Sequence, residues 1–147
     1  MQNKIEKIRV KSLDGDPVDL MEIYSGKPLL ILFFNIQCLG CTGRAIPLAY
    51  DCLQEFKNLN VVAIHTAFGK KVVTKDDIIN IFTLKELPFP IYLDIENTNY
   101  KKFDCEGMPH WILMDKEGNV TRSIFGSQDG SQTRLIYALE ELTKEAE

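Results

Sequence analysis

Two uninterrupted runs of apolar residues dominate the first half of the chain. The first covers residues 29–34 and the second covers residues 61–64. Runs of this length and composition are typical of strands that are buried on both faces of a sheet. A weaker alternation over residues 5–12 precedes the turn-forming run Asp-Gly-Asp-Pro at 14–17, which predicts a short strand followed by a turn. The run 29–34 is therefore expected to be a central strand.

Helical spacing of apolar residues appears between and after these runs. Residues 39–56 place their apolar side chains on one face, and Pro47 is expected to bend this helix. A Gly-Lys-Lys loop at 69–71 follows the second strand. Thr74, with Asp77 three residues later, predicts a capping box and a helix that runs to about residue 87.

The second half of the chain predicts shorter elements. A strand is expected over 89–93, a brief helix over 99–103, and a hairpin formed by 111–114 and 120–125. Residues 131–146 carry an apolar stripe at helical spacing. The fold class is therefore α/β, with a mixed central β-sheet flanked by helices on both faces and a C-terminal β-hairpin plus helix.

Composition limits the classes of partner. The 147 residues are 45% hydrophobic and 26% charged, which predicts one domain over 1–147, expected to be a monomer. A net charge of −4 argues against nucleic acid and against a membrane surface as partners. The first ten residues lack the apolar stretch of a signal peptide, so we expect a cytoplasmic location, or one outside the cytoplasm if a leader has been trimmed.

The pair Cys38 and Cys41 follows a predicted buried strand and opens a predicted helix. Unpaired backbone N–H groups and the positive end of the helix dipole stabilise an ionised sulfur at this place. We therefore expect Cys38 to attack a disulfide and form a mixed disulfide, and Cys41 to resolve it. The product is a redox-active disulfide between the two cysteines.

Other interpretations of the cysteines are weaker. Two unrelated buried thiols would not explain the position of the pair, and a structural zinc site would need further ligands for which the sequence has no second pair. Cys52 lies eleven residues after Cys41 on the same predicted helix, about 16 Å away, and is interpreted as a core residue. Cys105 is expected to be structural. No metal or cofactor is predicted.

Five short motifs also occur in the order and approximate spacing of one known family. They are Gly26-Lys27-Pro28, Cys38 to Cys41, Phe89-Pro90, Gly107-Met108-Pro109 and Asp115-Lys116-Glu117-Gly118. On these motifs the chain resembles the thioredoxin superfamily, and within it the TlpA/ResA-like redoxins, over residues 8–142. The resemblance implies a thioredoxin-like fold and the activity of a thiol:disulfide oxidoreductase.

The resemblance also implies roles for two residues outside the cysteine pair. Pro109 would be the cis-proline that faces the cysteines, and Met108 would offer its backbone to an extended substrate segment. The partners implied are a protein that contains a disulfide and an upstream thiol reductant.

The sequence departs from the family pattern around the cysteines. Gln37 and Gly40 stand where Trp and Pro are usual, residues 42–46 lack the usual acid, and Pro47 falls one position late. His65 and His110 are candidate replacements for the missing proton acceptor, because an imidazole titrates near neutrality. The alternative for each histidine is a hydrogen bond to the backbone or a position facing solvent.

Two other functions remain open. A peroxiredoxin-like thiol peroxidase would share the fold and also act through a thiolate, although the usual Pro and Thr are absent from residues 33–37. A redox-silent or metal-binding module would use the cysteines to hold copper or another soft metal.

Overall fold

A seven-stranded mixed sheet lies at the centre of the computed structural model, which describes residues 4–68 and 72–145. The predicted loop at 69–71 and the predicted helical residue 146 lie outside these residues. The strands are β1 (Arg9–Lys11), β2 (Pro17–Asp19), β3 (Leu29–Phe34), β4 (Asn60–His65), β5 (Ile91–Leu93), β6 (His110–Met114) and β7 (Val120–Phe125).

The strand order across the sheet is β2-β1-β5-β4-β3-β6-β7. Strands β3, β4 and β5 are parallel, whereas β6 runs antiparallel to β3 and forms the predicted hairpin with β7. Strand β3 is therefore central, as its apolar sequence predicts. The carboxyl ends of the three parallel strands meet at one edge of the sheet, where functional groups gather in open α/β sheets.

Helices cover both faces of this sheet. They are α1 (Leu20–Ile23), a π-helical turn (Cys41–Ala45), α2 (Ile46–Glu55), α3 (Lys75–Ile79), α4 (Thr98–Lys102) and α5 (Asp129–Glu145). Within the described ranges 4–68 and 72–145, no helix combines the length and apolar character needed to cross a bilayer.

Strand β3 supplies side chains to two separate apolar clusters, because successive residues of a strand point to opposite faces. Leu30, Leu32 and Phe34 pack with α2, α5 and the indole of Trp111. The other three residues of the strand pack with α1, α4 and strand β1. All six residues of β3 are buried, which explains why its sequence is continuously apolar.

The helix after the cysteine pair is irregular in its first turn. The N–H of Ile46 bonds to the Cys41 carbonyl, five residues back, which makes Cys41–Ala45 a π-helical turn. Pro47 follows in the first turn of α2 and has no N–H of its own to donate. The irregularity predicted at the proline therefore lies just before it.

The predicted helix over 74–87 is wrong in its length. Thr74 and Asp77 form the predicted capping box, but α3 ends at Ile79. Lys85 has a positive φ of 57°, which an α-helix does not allow, and Leu84 is exposed rather than part of a buried stripe. Spacing alone therefore overestimated the helix. The short strand β2 and helix α1 had no clear signal in the sequence.

Candidate active site

The loop between β3 and Cys38 is tied to the end of the neighbouring strand β4. The side-chain amide of Asn35 donates to the Thr66 carbonyl at 2.9 Å, and the N–H of Ile36 donates to Nε2 of His65 at 3.2 Å. The N–H of Gln37 donates to Oδ1 of Asn35 at 2.8 Å. These three bonds fix the direction in which the chain enters the cysteine pair.

Cys38 and Cys41 lie within one helical turn at the carboxyl edge of the sheet. The N–H of Cys41 donates to the Cys38 sulfur at 3.2 Å, and the Cys38 carbonyl accepts the N–H of Thr42 at 3.1 Å. Both cysteines are free thiols. The Cys38 sulfur therefore has a backbone donor within hydrogen-bond distance at the start of a helix.

The two sulfurs differ in burial. Cys38 is half-buried, whereas Cys41 is completely buried. Burial raises the pKa of the Cys41 thiol well above its ordinary value, and hydrogen bonding to Cys38 raises it further. The backbone of Asn35 opposes this shift only in part. Cys38 is therefore the more accessible of the two sulfurs.

The loop that carries Met108 and Pro109 faces Cys38. The Met108–Pro109 peptide bond is cis, as the family resemblance implies. The Cys38 thiol donates to the Met108 carbonyl at 3.6 Å, and the Pro109 carbonyl accepts the N–H of Gly126 at 2.8 Å. A backbone acceptor therefore lies beside the half-buried sulfur, at the place where the family resemblance implies substrate binding.

Gly40, the residue before the second cysteine, has a neighbour that the sequence did not indicate. A Cβ atom at this position would lie 3.2 Å from Oγ of Ser127 and 3.8 Å from Cδ of Pro109. Ser127 follows β7 and is buried. The sequence contains one indirect sign of this contact, which is a glycine at position 40 where the family usually has proline.

Both candidate histidines bond to backbone N–H groups. Nε2 of His65 accepts the N–H of Ile36, while Nδ1 of His110 accepts the N–H of Glu106 at 3.3 Å and its Nε2 bonds to Oγ of Ser123 at 2.7 Å. Burial lowers the pKa of both histidines, to about 4 for His65. Both histidines therefore bond to the backbone, which is one of the alternatives that the sequence leaves open for them. A role for either as the acceptor of a cysteine proton stays a prediction.

The two other cysteines lie in apolar surroundings. Cys52 is fully buried in the cluster under α2, and burial raises its pKa to about 12. Cys105 is half-buried against the opposite cluster, and burial raises its pKa to about 12 as well. Neutral, packed thiols of this kind act as small apolar residues.

Comparison with known proteins identifies the family of this chain. The model of the AhpC/TSA family matches residues 1–123. The chain belongs to the AhpC/TSA family. It is 27% identical over 109 residues to the thiol-disulfide oxidoreductase YkuV of Bacillus subtilis, covering 74% of this chain and 72% of that protein. It is 24% identical over 123 residues to the thiol-disulfide oxidoreductase ResA of Bacillus thuringiensis, covering 84% of this chain and 68% of ResA.

Solved structures share the fold of this chain. A putative thiol:disulfide interchange protein DsbE from Chlorobium tepidum superposes with a TM-score of 0.80 at 17% identity, covering 97% of this chain and 96% of that one. The predictions of a thioredoxin-like fold, of a redoxin, and of an enzyme of the thiol:disulfide oxidoreductase class are therefore confirmed.

Proposed function

We propose that this chain reduces or exchanges disulfides in a protein substrate through a mixed disulfide on Cys38. The observation that carries the proposal is the N–H of Cys41 at 3.2 Å from the Cys38 sulfur. That donor would stabilise the attacking thiolate, and half-burial would leave the sulfur open to a partner.

The exchange takes two steps. In the first, the Cys38 thiolate attacks one sulfur of the substrate disulfide, so that a Cys38–substrate bond forms and the other substrate sulfur leaves as a thiolate. In the second, Cys41 loses its proton to solvent or a nearby base and attacks the Cys38 sulfur. The Cys38–Cys41 disulfide forms, the second substrate thiolate leaves, and two electrons have passed from the enzyme to the substrate.

Burial of Cys41 suits it to the second step. Its raised pKa keeps it protonated and unreactive while Cys38 is free, which disfavours attack by Cys41 on outside disulfides. An upstream thiol reductant would then return the oxidised pair to the dithiol. The Met108 backbone beside Cys38 would hold an extended substrate segment by strand-like hydrogen bonds next to the cis-proline Pro109.

The test is turnover of insulin disulfides with dithiothreitol as the reductant. Cys38→Ser should abolish the enzyme-dependent rate, whereas Cys41→Ser should accumulate a mixed disulfide that is visible on a non-reducing gel. Cys105→Ala is the matched control, because this thiol packs against the apolar cluster on the opposite face of the sheet. Undiminished activity in Cys38→Ser would contradict the proposal.

Two further assays address the alternative functions. Peroxide consumption faster than insulin reduction would favour a thiol peroxidase that uses the same Cys38. Stoichiometric copper retained after dialysis would favour a metal-carrying module. We expect neither, because the Met108 carbonyl beside the Cys38 sulfur is a backbone acceptor that a peptide segment would use.

A further inference from the structure

The imidazole of His110 links the loop at 106–109 to the hairpin formed by β6 and β7. Its Nδ1 accepts the N–H of Glu106 at 3.3 Å, so this nitrogen carries no proton. Its Nε2 therefore carries the proton of the neutral ring and donates to Oγ of Ser123 at 2.7 Å. The side chain is 2% exposed, and each ring nitrogen has a partner within the protein.

Neighbouring strands hold the backbone of His110, and one neighbouring aromatic ring packs on its imidazole. His110 is paired with Phe33 of β3 on one side and with Phe125 of β7 on the other. The rings of His110 and Phe125 have centroids 6.3 Å apart and are inclined at 37°. Because the ring is buried, bonded at both nitrogens and packed on Phe125, its Nδ1 is a fixed acceptor rather than a mobile one.

The loop that this acceptor holds is the one that faces the reactive sulfur. Its first residue, Glu106, is bonded to the ring of His110, and its last residue, Pro109, is bonded through its carbonyl to the N–H of Gly126. Between these two anchors the Met108 carbonyl accepts the Cys38 thiol at 3.6 Å. Loss of the bond between Glu106 and His110 would release the part of the loop that precedes Met108.

We infer that His110 is a positioning residue that holds the Met108 backbone in place for a polypeptide substrate beside Cys38. This inference rests on the proposed function and narrows it to disulfides flanked by an extended peptide segment. A proton transfer from sulfur to His110 is not part of it, because Nδ1 accepts the N–H of Glu106 and Nε2 donates to Ser123. A small disulfide has no peptide segment to hold and does not need the Met108 backbone in place.

The experiment compares two disulfide substrates in one set of variants. The substrates are insulin and the small aromatic disulfide 5,5′-dithiobis(2-nitrobenzoate). For His110→Leu we expect KM for insulin to rise about tenfold, whereas the rate with the small disulfide changes by less than about twofold. His110→Asn keeps an acceptor oxygen close to the place of Nδ1 and should restore most of the affinity for insulin.

A second variant keeps the inference testable if His110→Leu does not fold. Ser123 is exposed, and Ser123→Ala removes the partner of Nε2 without altering the core. We expect KM for insulin to rise about threefold in Ser123→Ala. Thr121→Ala is the matched control, because this hydroxyl on the same strand bonds to the Leu113 carbonyl, away from the loop.

The possible results separate the inference from the proposed function. An unchanged KM for insulin in folded His110→Leu, or in Ser123→Ala, would overturn the positioning role. Equal slowing with both substrates would overturn it too, because that result points to proton transfer or to general damage. Retention of insulin reduction by Cys38→Ser would instead refute the proposed function itself.

Discussion

Ser127 occupies the space that a side chain on Gly40 would need. The Oγ of Ser127 lies 3.2 Å from an ideal Cβ at Gly40, and the ring of Pro109 lies just beyond. The segment after β7 thus packs directly on the turn between the two cysteines. Packing therefore opposes a side chain at this position, whereas the backbone does not, since the φ of −65° is open to any residue.

Replacement of Gly40 by alanine therefore sets two effects against each other. Alanine is favoured over glycine in a helix by about 1 kcal/mol, whereas overpacking costs about 1–3 kcal/mol. We expect Gly40→Ala to be neutral or destabilising alone and stabilising in a Ser127→Ala background, as measured by urea unfolding. Gly43→Ala is the control, because none of the residues that the structure describes lies within 4 Å of a Cβ there, and its effect should not depend on Ser127.

Alkylation should distinguish the four cysteines. With iodoacetamide at pH 7, we expect Cys38 to react first and the buried Cys41 to react at least about tenfold more slowly, because its raised pKa leaves little thiolate. Cys52 and Cys105 should also be protected, since burial raises the pKa of each to about 12. Mass spectrometry of peptides from the labelled protein gives the four rates. Equal labelling of Cys38 and Cys41 would contradict the difference in burial.

His65 should make the fold less stable in weak acid. The unfolded chain protonates this imidazole near pH 6.5, whereas the folded protein does so only near pH 4. Between these values the unfolded state binds more protons, so the free energy of unfolding falls as pH falls, by up to about 3 kcal/mol. Urea unfolding from pH 7 to pH 4.5 measures this slope.

The matched variant for His65 is His65→Leu, which lacks the titrating ring. It should be less stable at pH 7, because the N–H of Ile36 loses its acceptor, but its stability should fall less between pH 7 and pH 4.5. Carboxylates that titrate in the same pH range contribute equally to both proteins. Subtracting the pH profile of His65→Leu from that of the wild type therefore leaves the contribution of His65. Parallel profiles would show that His65 is not the cause.

Gly107 has little room for a side chain while the ring of Phe125 is in place. An ideal Cβ at Gly107 would lie 2.7 Å from the ring of Phe125, which also packs on His110. We expect Gly107→Ala to cost about 2 kcal/mol of stability and to weaken insulin reduction, because the displaced ring disturbs the loop that carries Met108. Urea unfolding and the insulin assay measure the two effects.

Two variants separate the possible causes of the stability lost in Gly107→Ala, namely the contact with Phe125 and the positive φ. Phe125→Leu combined with Gly107→Ala should recover part of the stability, because the shorter side chain leaves room for the new methyl group. Gly107 also has a positive φ, of +155°. Gly15→Ala measures the cost of a positive φ alone, since Gly15 has φ of +94° and no described residue within 4 Å of its Cβ position. Equal losses in Gly15→Ala and Gly107→Ala would argue against the contact with Phe125.

Local patterns predicted most of the fold because they follow directly from burial. The continuous apolar run of β3 reflects a strand covered on both faces, and the pair Thr74 and Asp77 reflects a capping box that closes within four residues. The helix after Thr74 was predicted too long, since spacing does not reveal that Leu84 faces solvent. Apolar spacing records which residues could be buried together, whereas their actual burial depends on the path of the whole chain.

The sequence by itself determined the central strand, the cysteine pair at the start of a helix, and, through a family resemblance, the cis-proline at 109. Only the tertiary structure decided that Ser127 packs on Gly40, that Cys41 is more buried than Cys38, and that His110 bonds to Glu106 and Ser123. Strand and helix signals are local, because they repeat over two to four residues. Burial and the partners of a polar side chain depend on strand order and register, which bring distant residues of the chain together.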